Sequence, residues 1–441
     1  MRILHNGRLL TRDPHQPWFE KGAVAFAGPG IIEAGPEQKI LARYPDAALI
    51  DADGGLIMPA LVNMHEHAYS ALARGLALPG FAPQSFAGIL EGMWWRLDAA
   101  LNEEDIYLSA LLTFMDCIKN GVTTVFDHHA SFSAIDGSLA IIAEAAGLTG
   151  LRACLCFEVS DRAGQGAAAK AVAENARFIA KCQMEQNPLL TGLMGLHASF
   201  TVSDATLAAS RAATPAGTGF HLHLAEGPED QRHCQKDHGL RVVQRLRREG
   251  ILGPQSIVAH GIDVNEEEIA ILAESQTALI HNPESNMSNA VGCAPLVAMK
   301  SAGMKLGLGT DGYTHDMLES MKAAQLLQKH HLRDSNAGFA LATNMLFNEN
   351  PPLATRHFST LLGQIKPGAA ADMIVLDYEP FTPLDETTAD GHAVFGLSGR
   401  QVRTVLAAGQ LLMYKGELCG IDEEKTCAQA REAARKLWAR M

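Results

Sequence analysis

Several features that would assign the chain to a large class of proteins are absent. No Cys-x-x-Cys pair occurs among the eight cysteines, so they form no zinc-finger pattern and are expected to be reduced thiols. No run of about 18 uncharged apolar residues is present, and the N-terminus lacks the features of a secretory signal. These absences predict a cytoplasmic protein with no membrane-spanning segment.

Positive charge is also in short supply. The 441 residues include 36 Lys and Arg against 49 Asp and Glu, which gives a formal charge of -13. This excess of acid argues against a nucleic acid as the main partner. No Gly-x-Gly-x-x-Gly follows a predicted strand, so a dinucleotide-binding open sheet has little support.

The middle of the chain has a repeating pattern. Short apolar runs alternate with amphipathic stretches of helical length, one of which has Asn102 as its predicted N-cap. The runs lie at 56–62, 121–126, 151–157, 191–196, 219–224, 256–259, 277–280 and 305–309. About eight such repeats predict an α/β fold and, within it, a (β/α)8 TIM-type barrel spanning residues 57–364. A doubly wound open sheet is the alternative.

The two ends of the chain have a different pattern. Residues 1–56 and 365–441 contain short β-type runs separated by Gly and Pro, followed by a charged, Ala-rich helix. Asn6-Gly7 predicts a hairpin near the start. We expect the two ends to combine into one small β-sandwich domain.

Side chains suited to metal binding follow several predicted strands. His65 and His67 are two residues apart, so both can point into the mouth of a barrel while Glu66 points away. The other candidates, each after a further strand, are His221 and His223 with Glu226, then His260, then Asp311. A lone histidine there is usually structural, but four groups in phase with four strand ends predict a shared site.

The chemistry of this set favours a borderline divalent cation. Three imidazoles and one carboxylate suit zinc or iron(II) and leave one coordination position for water. A bound metal can lower the pKa of that water to about 7, which supplies hydroxide near neutral pH. The residues therefore predict a metal-dependent hydrolase.

At these residues the sequence resembles the amidohydrolase superfamily, in its branch of cytosine, guanine and thiomethyladenosine deaminases. The segments that carry the resemblance are "LIMPALVNMHEHAYSALARG", "HLHLAEG", "VAHG", "HNPESNMSN", "LGLGTDG" and "GQIKPGAAADMIVLD". "MWWRLDAALNEED" and "FDHHASFSAIDGSL" are most similar to the SsnA group of aminohydrolases. The resemblance covers nearly the whole chain.

The resemblance implies a role for each matching residue. The implied metal ligands are His65, His67, His223 and Asp311. The implied catalytic residues are Glu226 as proton shuttle, His260 beside the attacking water and Asp311 as its base; the implied substrate pocket includes His197 and Asn286. His129, at a further predicted strand end, is a candidate for the same pocket, with a structural role as the equal alternative. Only His223 of its pair has Glu three residues later, so His221 is expected to pack deeper.

The same resemblance implies an aminohydrolase that releases ammonia from a small heterocyclic substrate, assembled as a homodimer. No Lys stands at the end of the third or fourth strand, which favours one metal ion over two, with zinc ahead of iron(II). Two other functions stay open: a ring-opening hydrolase of cyclic amides and a non-catalytic barrel scaffold. Trp94 and Trp95 are expected in the core or an interface, with a lid over the barrel mouth as the alternative.

Overall fold

The computed structural model describes all residues, 1–441. The strands, in chain order, are β1 (Arg2–Leu10), β2 (Trp18–Ala27), β3 (Gly30–Pro36), β4 (Ala48–Asp51), β5 (Leu56–Pro59), β6 (Leu61–Glu66), β7 (Val122–His129), β8 (Arg152–Phe157), β9 (Leu190–Gly192), β10 (Met194–Leu196), β11 (Phe220–Leu224), β12 (Ile257–His260), β13 (Ala278–His281), β14 (Leu306–Leu308), β15 (Met373–Leu376), β16 (Val402–Ala407), β17 (Gln410–Tyr414) and β18 (Glu417–Leu418).

The α-helices are α1 (Glu37–Arg43), α2 (Phe86–Ile89), α3 (Trp95–Ala100), α4 (Glu103–Lys119), α5 (Ser138–Thr149), α6 (Gln165–Glu185), α7 (Asp204–Ala213), α8 (Pro228–His238), α9 (Val242–Arg248), α10 (Glu266–Ser275), α11 (Pro283–Ser288), α12 (Leu296–Ser301), α13 (Met317–Leu332), α14 (Phe339–Asn344), α15 (Asn350–Phe358), α16 (Ala389–Phe395) and α17 (Glu423–Trp438). Strands and helices alternate between β6 and α15, which confirms the predicted α/β class. None of the helices combines the length and apolarity that a bilayer crossing requires.

The middle of the chain forms two parallel sheets, with strand orders β6-β7-β8-β9 and β10-β11-β12-β13-β14. Isolated bridges lie between their edges: Val159, just after β8, pairs with Leu196 in β10, and Glu66 in β6 pairs with Asp311 beyond β14. The ladders are therefore two sheets linked by single bridges, and they do not form one continuous closed ring.

The strands of these sheets are apolar because both of their faces are covered. β6, β7, β8, β11 and β12 are buried at every position. Helices pack on the outer face and side chains fill the space inside, as is typical of parallel sheets. The carboxyl ends of these strands consequently meet at one end of the fold.

The two ends of the chain pair in a single nine-stranded sheet. Its order is β18-β17-β16-β15-β5-β1-β2-β3, with β4 paired to β1. The apolar run at 56–62, expected as one strand, is divided: β5 joins this sheet antiparallel to β15, and β6 begins the parallel sheet. The division occurs because the two halves of the run have different pairing partners.

The hairpin predicted at Asn6-Gly7 is wrong, because both residues lie inside β1. The register against β2 shifts between Leu4 and Gly7, and Asn6 has φ 58°, so the pair forms a bulge. A Cβ on Gly7 would lie 2.8 Å from the carbonyl oxygen of Gly55, so glycine is needed for close packing.

The N-cap predicted at Asn102 is confirmed at the start of α4. Its side chain accepts a hydrogen bond from the backbone N–H of Asp105 at 2.9 Å, and the Asp105 carboxylate accepts one from the backbone N–H of Asn102 at 2.9 Å. This reciprocal arrangement satisfies two N–H groups that the helix leaves unpaired.

Candidate active site

The side chains that the sequence singles out as metal ligands converge at the carboxyl ends of the parallel strands. Ligand nitrogens of His65, His67 and His223 lie within 4.8 Å of one another. The same limit holds for His65, His260 and Asp311. Residues up to 246 positions apart in the chain therefore share one buried cluster.

Hydrogen bonds determine where the protons sit in two of these rings. Nδ1 of His67 donates to the carbonyl of His128 at 2.6 Å, and Nδ1 of His223 donates to the carbonyl of His197 at 2.9 Å. Because a carbonyl only accepts, each neutral ring carries its proton on Nδ1 and a lone pair on Nε2. The two Nε2 atoms face each other at 3.0 Å, an arrangement that a cation stabilises.

The environment of the third ring, that of His65, favours a metal ion over a proton as that cation. Nδ1 of His65 lies 2.8 Å from Nε2 of His221, while Nε2 of His65 is buried without a hydrogen-bond partner. A proton shared by His67 and His223 would leave this atom unpaired, whereas one divalent metal can accept all three nitrogens. The cluster therefore fits a divalent metal, and His221 packs behind His65.

Asp311 is held by two donors beside the histidines. Its Oδ1 accepts from the backbone N–H of Gly312 at 2.6 Å and its Oδ2 from the hydroxyl of Ser285 at 2.7 Å. Burial raises the pKa of Asp311, but the neighbouring His67 and His260 outweigh it, so the pKa lies below its usual value. Asp311 is therefore a carboxylate at neutral pH.

Glu226 and Asp311 both lie near Nε2 of His260. Nε2 of His260 is 3.5 Å from Oε2 of Glu226 and 3.5 Å from Oδ2 of Asp311. Burial, reinforced by the negative charge of Asp311, raises the pKa of Glu226 well above its usual value. Two carboxyl groups in one site with pKa values displaced in opposite directions are suited to act as an acid and a base.

The backbone around this site adopts conformations that are unfavourable for residues other than glycine. His260 has φ 73°, Asp311 φ 56° and Ala225 φ 45°. Such strain is typical of functional sites, where the surrounding structure enforces it. The side chain of Asn286, which is buried, accepts a hydrogen bond from Nδ1 of His260 at 2.8 Å.

A cavity of about 50 Å³ opens onto the cluster. Trp94 and Trp95 line it together with Phe86 and Leu90, so the tryptophans are in the position of the lid alternative. His197 also lines the cavity.

His129 and Asn286, in contrast, do not line the cavity. Nε2 of His129 lies 2.8 Å from the hydroxyl of Ser131, and its ring packs against Tyr69 and Phe157. Burial lowers the pKa of His129 to about 3, so the ring is neutral.

The sequence reasoning missed three polar residues of the cavity wall: Ser70, Asp98 and Asn289. Asn289 could have been found, because it follows Ser285 by one helical turn and its amide donates to Glu226 at 3.2 Å. No local pattern marks Asp98, which lies in α3, in the long insertion between β6 and β7.

A buried cluster of histidines and carboxylates at the carboxyl ends of parallel strands, beside a cavity, defines a metal-dependent hydrolase of the α/β class. Residues 56–412 match the model of the Amidohydrolase family. The chain belongs to the amidohydrolase family and is a hydrolase that acts on carbon–nitrogen bonds other than peptide bonds, which confirms the enzyme class predicted from the sequence.

Individual relatives agree with this assignment. The chain is 31% identical over 446 residues to a 5'-deoxyadenosine deaminase of Methanosarcina mazei, covering 100% of the chain and 99% of that relative. It is 32% identical to a 5-methylthioadenosine/S-adenosylhomocysteine deaminase of Syntrophomonas wolfei, covering 99% of each. The fold is similar to an adenosine deaminase of Xanthomonas campestris with bound zinc, with a TM-score of 0.88 at 24% identity over 99% of this chain and 98% of that one.

Proposed function

We propose that the protein is an aminohydrolase that removes the exocyclic amino group of an adenine-type ring in a small, nucleoside-like substrate and releases ammonia. The observation that carries the proposal is the pair Glu226 and Asp311, whose carboxyl oxygens each lie 3.5 Å from Nε2 of His260, beside the cluster of histidines. The deaminase relatives support the choice of an adenine-type ring.

We assign the metal to His65, His67, His223 and Asp311. The unpaired Nε2 of His65 and the facing Nε2 atoms of His67 and His223 support this ligand set. A single zinc ion is the better candidate and iron(II) the alternative, because imidazole and carboxylate ligands suit both. When bound, the metal would supply a water of lowered pKa as the nucleophile.

The protein's own groups would move the protons. Asp311, ionised, accepts a proton from the attacking water, while Glu226 gives its proton to the ring nitrogen next to the carbon under attack. The carbon thereby gains a bond to oxygen. The leaving amine takes up the proton held by Asp311, the carbon–nitrogen bond breaks and ammonia departs, while the new hydroxyl group returns a proton to Glu226 as the ring carbonyl forms. His260, oriented by Asn286, stabilises the tetrahedral centre.

We assign substrate-binding roles according to which residues line the cavity. We retain His197 as a substrate-binding residue because it lines the cavity. For Asn286 we propose the positioning of His260. For His129, predicted to bind substrate, we propose an indirect role. Its ring lies 6.0 Å from that of Tyr69, which lines the cavity, and holds Tyr69 in position.

We also propose a finer description of the fold. The bridges at both edges of the parallel sheets support a closed (β/α)8 barrel over residues 57–364, and residues 1–56 with 365–441 would form a β-sandwich domain. The pairing of β5 with β15 favours a first boundary at Pro59. The eight cysteines, all without disulfide partners, support a cytoplasmic location; the homodimer stays a prediction.

The proposal is tested by loading the purified protein with zinc or iron(II) and measuring ammonia released from adenosine and 5'-deoxyadenosine. We expect turnover with a loaded protein and none after treatment with a chelator. Loaded protein that releases no ammonia from either compound would contradict the proposal. A new carboxylate formed from a cyclic amide, without ammonia, would support the ring-opening alternative.

A further inference from the structure

The cavity wall carries more carboxyl groups than the proposed chemistry uses. Four line it, those of Asp98, Glu158, Glu226 and Asp311, and no Lys or Arg does. Glu226 and Asp311 serve the proposed proton transfers. Asp98 and Glu158 have no part in them, although burying a carboxylate is costly unless something compensates it.

Arg162, which does not itself line the cavity, neutralises the charge of both carboxylates. Its guanidinium donates to Asp98 through two parallel bonds of 3.1 and 2.7 Å and to Oε1 of Glu158 at 2.7 Å. The same group is stacked over the rings of Phe132, at 4.1 Å, and Trp95, at 5.2 Å. Both terminal nitrogens of Arg162 are therefore held by carboxylates, which keeps the guanidinium from turning into the cavity to bind an anion.

Glu158 keeps one oxygen free. Its Oε2 accepts no side-chain hydrogen bond, and Nδ1 of His128, 3.9 Å away, is beyond hydrogen-bonding distance. The guanidinium of Arg162, 2.7 Å from Oε1, stabilises the ionised form of Glu158. A carboxylate oxygen without a hydrogen-bond donor therefore lines the cavity.

We infer that Glu158 is a specificity-determining residue, whose Oε2 accepts a hydrogen bond from an O–H or N–H group on the substrate, away from the reacting amino group. The wall of Asp98, Arg162 and Glu158 consequently selects substrates with a neutral or cationic tail and rejects those with a phosphate or carboxylate tail. A site built to bind a donor also discriminates strongly against an analogue that lacks it, because its acceptor is left unpaired. This inference rests on the proposed function.

The test compares kcat/KM for ammonia release from three compounds. Adenosine and adenosine 5'-monophosphate differ only in the phosphate, and 2',3'-dideoxyadenosine lacks two hydroxyl donors of adenosine. We expect the wild-type protein to prefer adenosine by 100-fold or more over the monophosphate. In Glu158→Gln we expect the KM for adenosine to rise about tenfold and the preference over the monophosphate to fall at least tenfold.

The dideoxy compound tests the hydrogen bond itself. If Glu158 accepts from a hydroxyl, the loss on removing both hydroxyls should be at least fivefold smaller in Glu158→Gln than in the wild-type protein. Glu185→Gln, at the exposed end of α6, is the matched control and should behave as wild type. Metal content and melting temperature identify a variant that fails to fold.

The outcomes separate the two proposals. Wild-type protein that accepts the monophosphate as well as adenosine overturns the inference and leaves the proposed function standing. Unchanged ratios in a folded, metal-loaded Glu158→Gln do the same. Wild-type protein that releases no ammonia from adenosine or 5'-deoxyadenosine overturns the proposed function, and the inference with it.

Discussion

His67 and His223 hold their Nε2 atoms 3.0 Å apart while each ring donates its Nδ1 proton to a backbone carbonyl. Those carbonyls belong to His128 and His197, on two other strand ends, so the backbone itself orients both lone pairs. Hydrogen bonds of this kind from a ligating histidine determine its tautomer and the orientation of its ring. The arrangement is organised for a cation before any cation binds.

Metal binding should therefore stabilise the folded protein, and His223→Ala should remove that effect. Zinc at a hundred times its dissociation constant is expected to stabilise the wild-type protein by about 2.7 kcal/mol. The measurement is the melting temperature of chelator-treated protein with and without added zinc. His331→Ala, on an exposed residue at the end of α13, is the control. An equal zinc-induced shift in His223→Ala would show that His223 does not bind the metal.

Glu226→Gln should abolish most of the activity and leave the metal in place. The amide cannot give and take back a proton, so kcat should fall by about 10² to 10⁴-fold, the usual contribution of a general acid or base. Steady-state kinetics together with metal analysis check this. Glu274→Gln, an exposed carboxylate paired with Arg247, is the matched control. Near-normal turnover in Glu226→Gln would mean that another group transfers the proton.

Glu284 should make the stability of the protein depend on pH. Burial raises its pKa to about 7, while the unfolded chain has an ordinary value near 4.5. Between these values the folded state holds a proton that the unfolded state has released, so the free energy of unfolding falls as pH rises. The loss is about 3 kcal/mol when completed above pH 7.

Glu284→Gln has no ionisable group at this position, so its free energy of unfolding should not fall in this way as the pH rises. Relative to the wild-type protein, its free energy of unfolding is expected to increase by about 3 kcal/mol between pH 4.5 and pH 7.5. Urea unfolding at several pH values measures the difference. A difference between the two proteins that is constant with pH would show that Glu284 ionises with an ordinary pKa.

Gly219→Ala should strongly destabilise the strand that carries His223. A Cβ at this position would lie 1.9 Å from the backbone oxygen of Gln255, and backbone atoms cannot move aside as a flexible side chain can. We expect a loss of about 3 kcal/mol, at the upper end of overpacking effects. Gly253→Ala is the matched control, because its Cβ would meet nothing within 4 Å. Similar melting temperatures for the two variants would contradict the prediction.

The local features of the molecule could be read from the sequence because they depend on neighbouring residues. The buried strands appear as apolar runs, and the cap of α4 appears as Asn102 followed three residues later by Asp105. The division of the run at 56–62 could not be predicted in this way, because its two halves join different sheets through partners that lie far away in the chain. Asn6-Gly7 failed for the same reason: the register against β2 makes a bulge of what resembles a turn.

The sequence by itself determined the α/β class, the order of the elements and which histidines and carboxylates cluster as candidate metal ligands, because strand periodicity places polar groups at predictable ends of buried strands. Tertiary structure alone decided which backbone carbonyls orient His67 and His223, and that Arg162 pairs with Asp98, 64 residues earlier in the chain, as well as with Glu158. These contacts join segments that no local pattern connects. Their geometry exists only once the fold has brought the segments together.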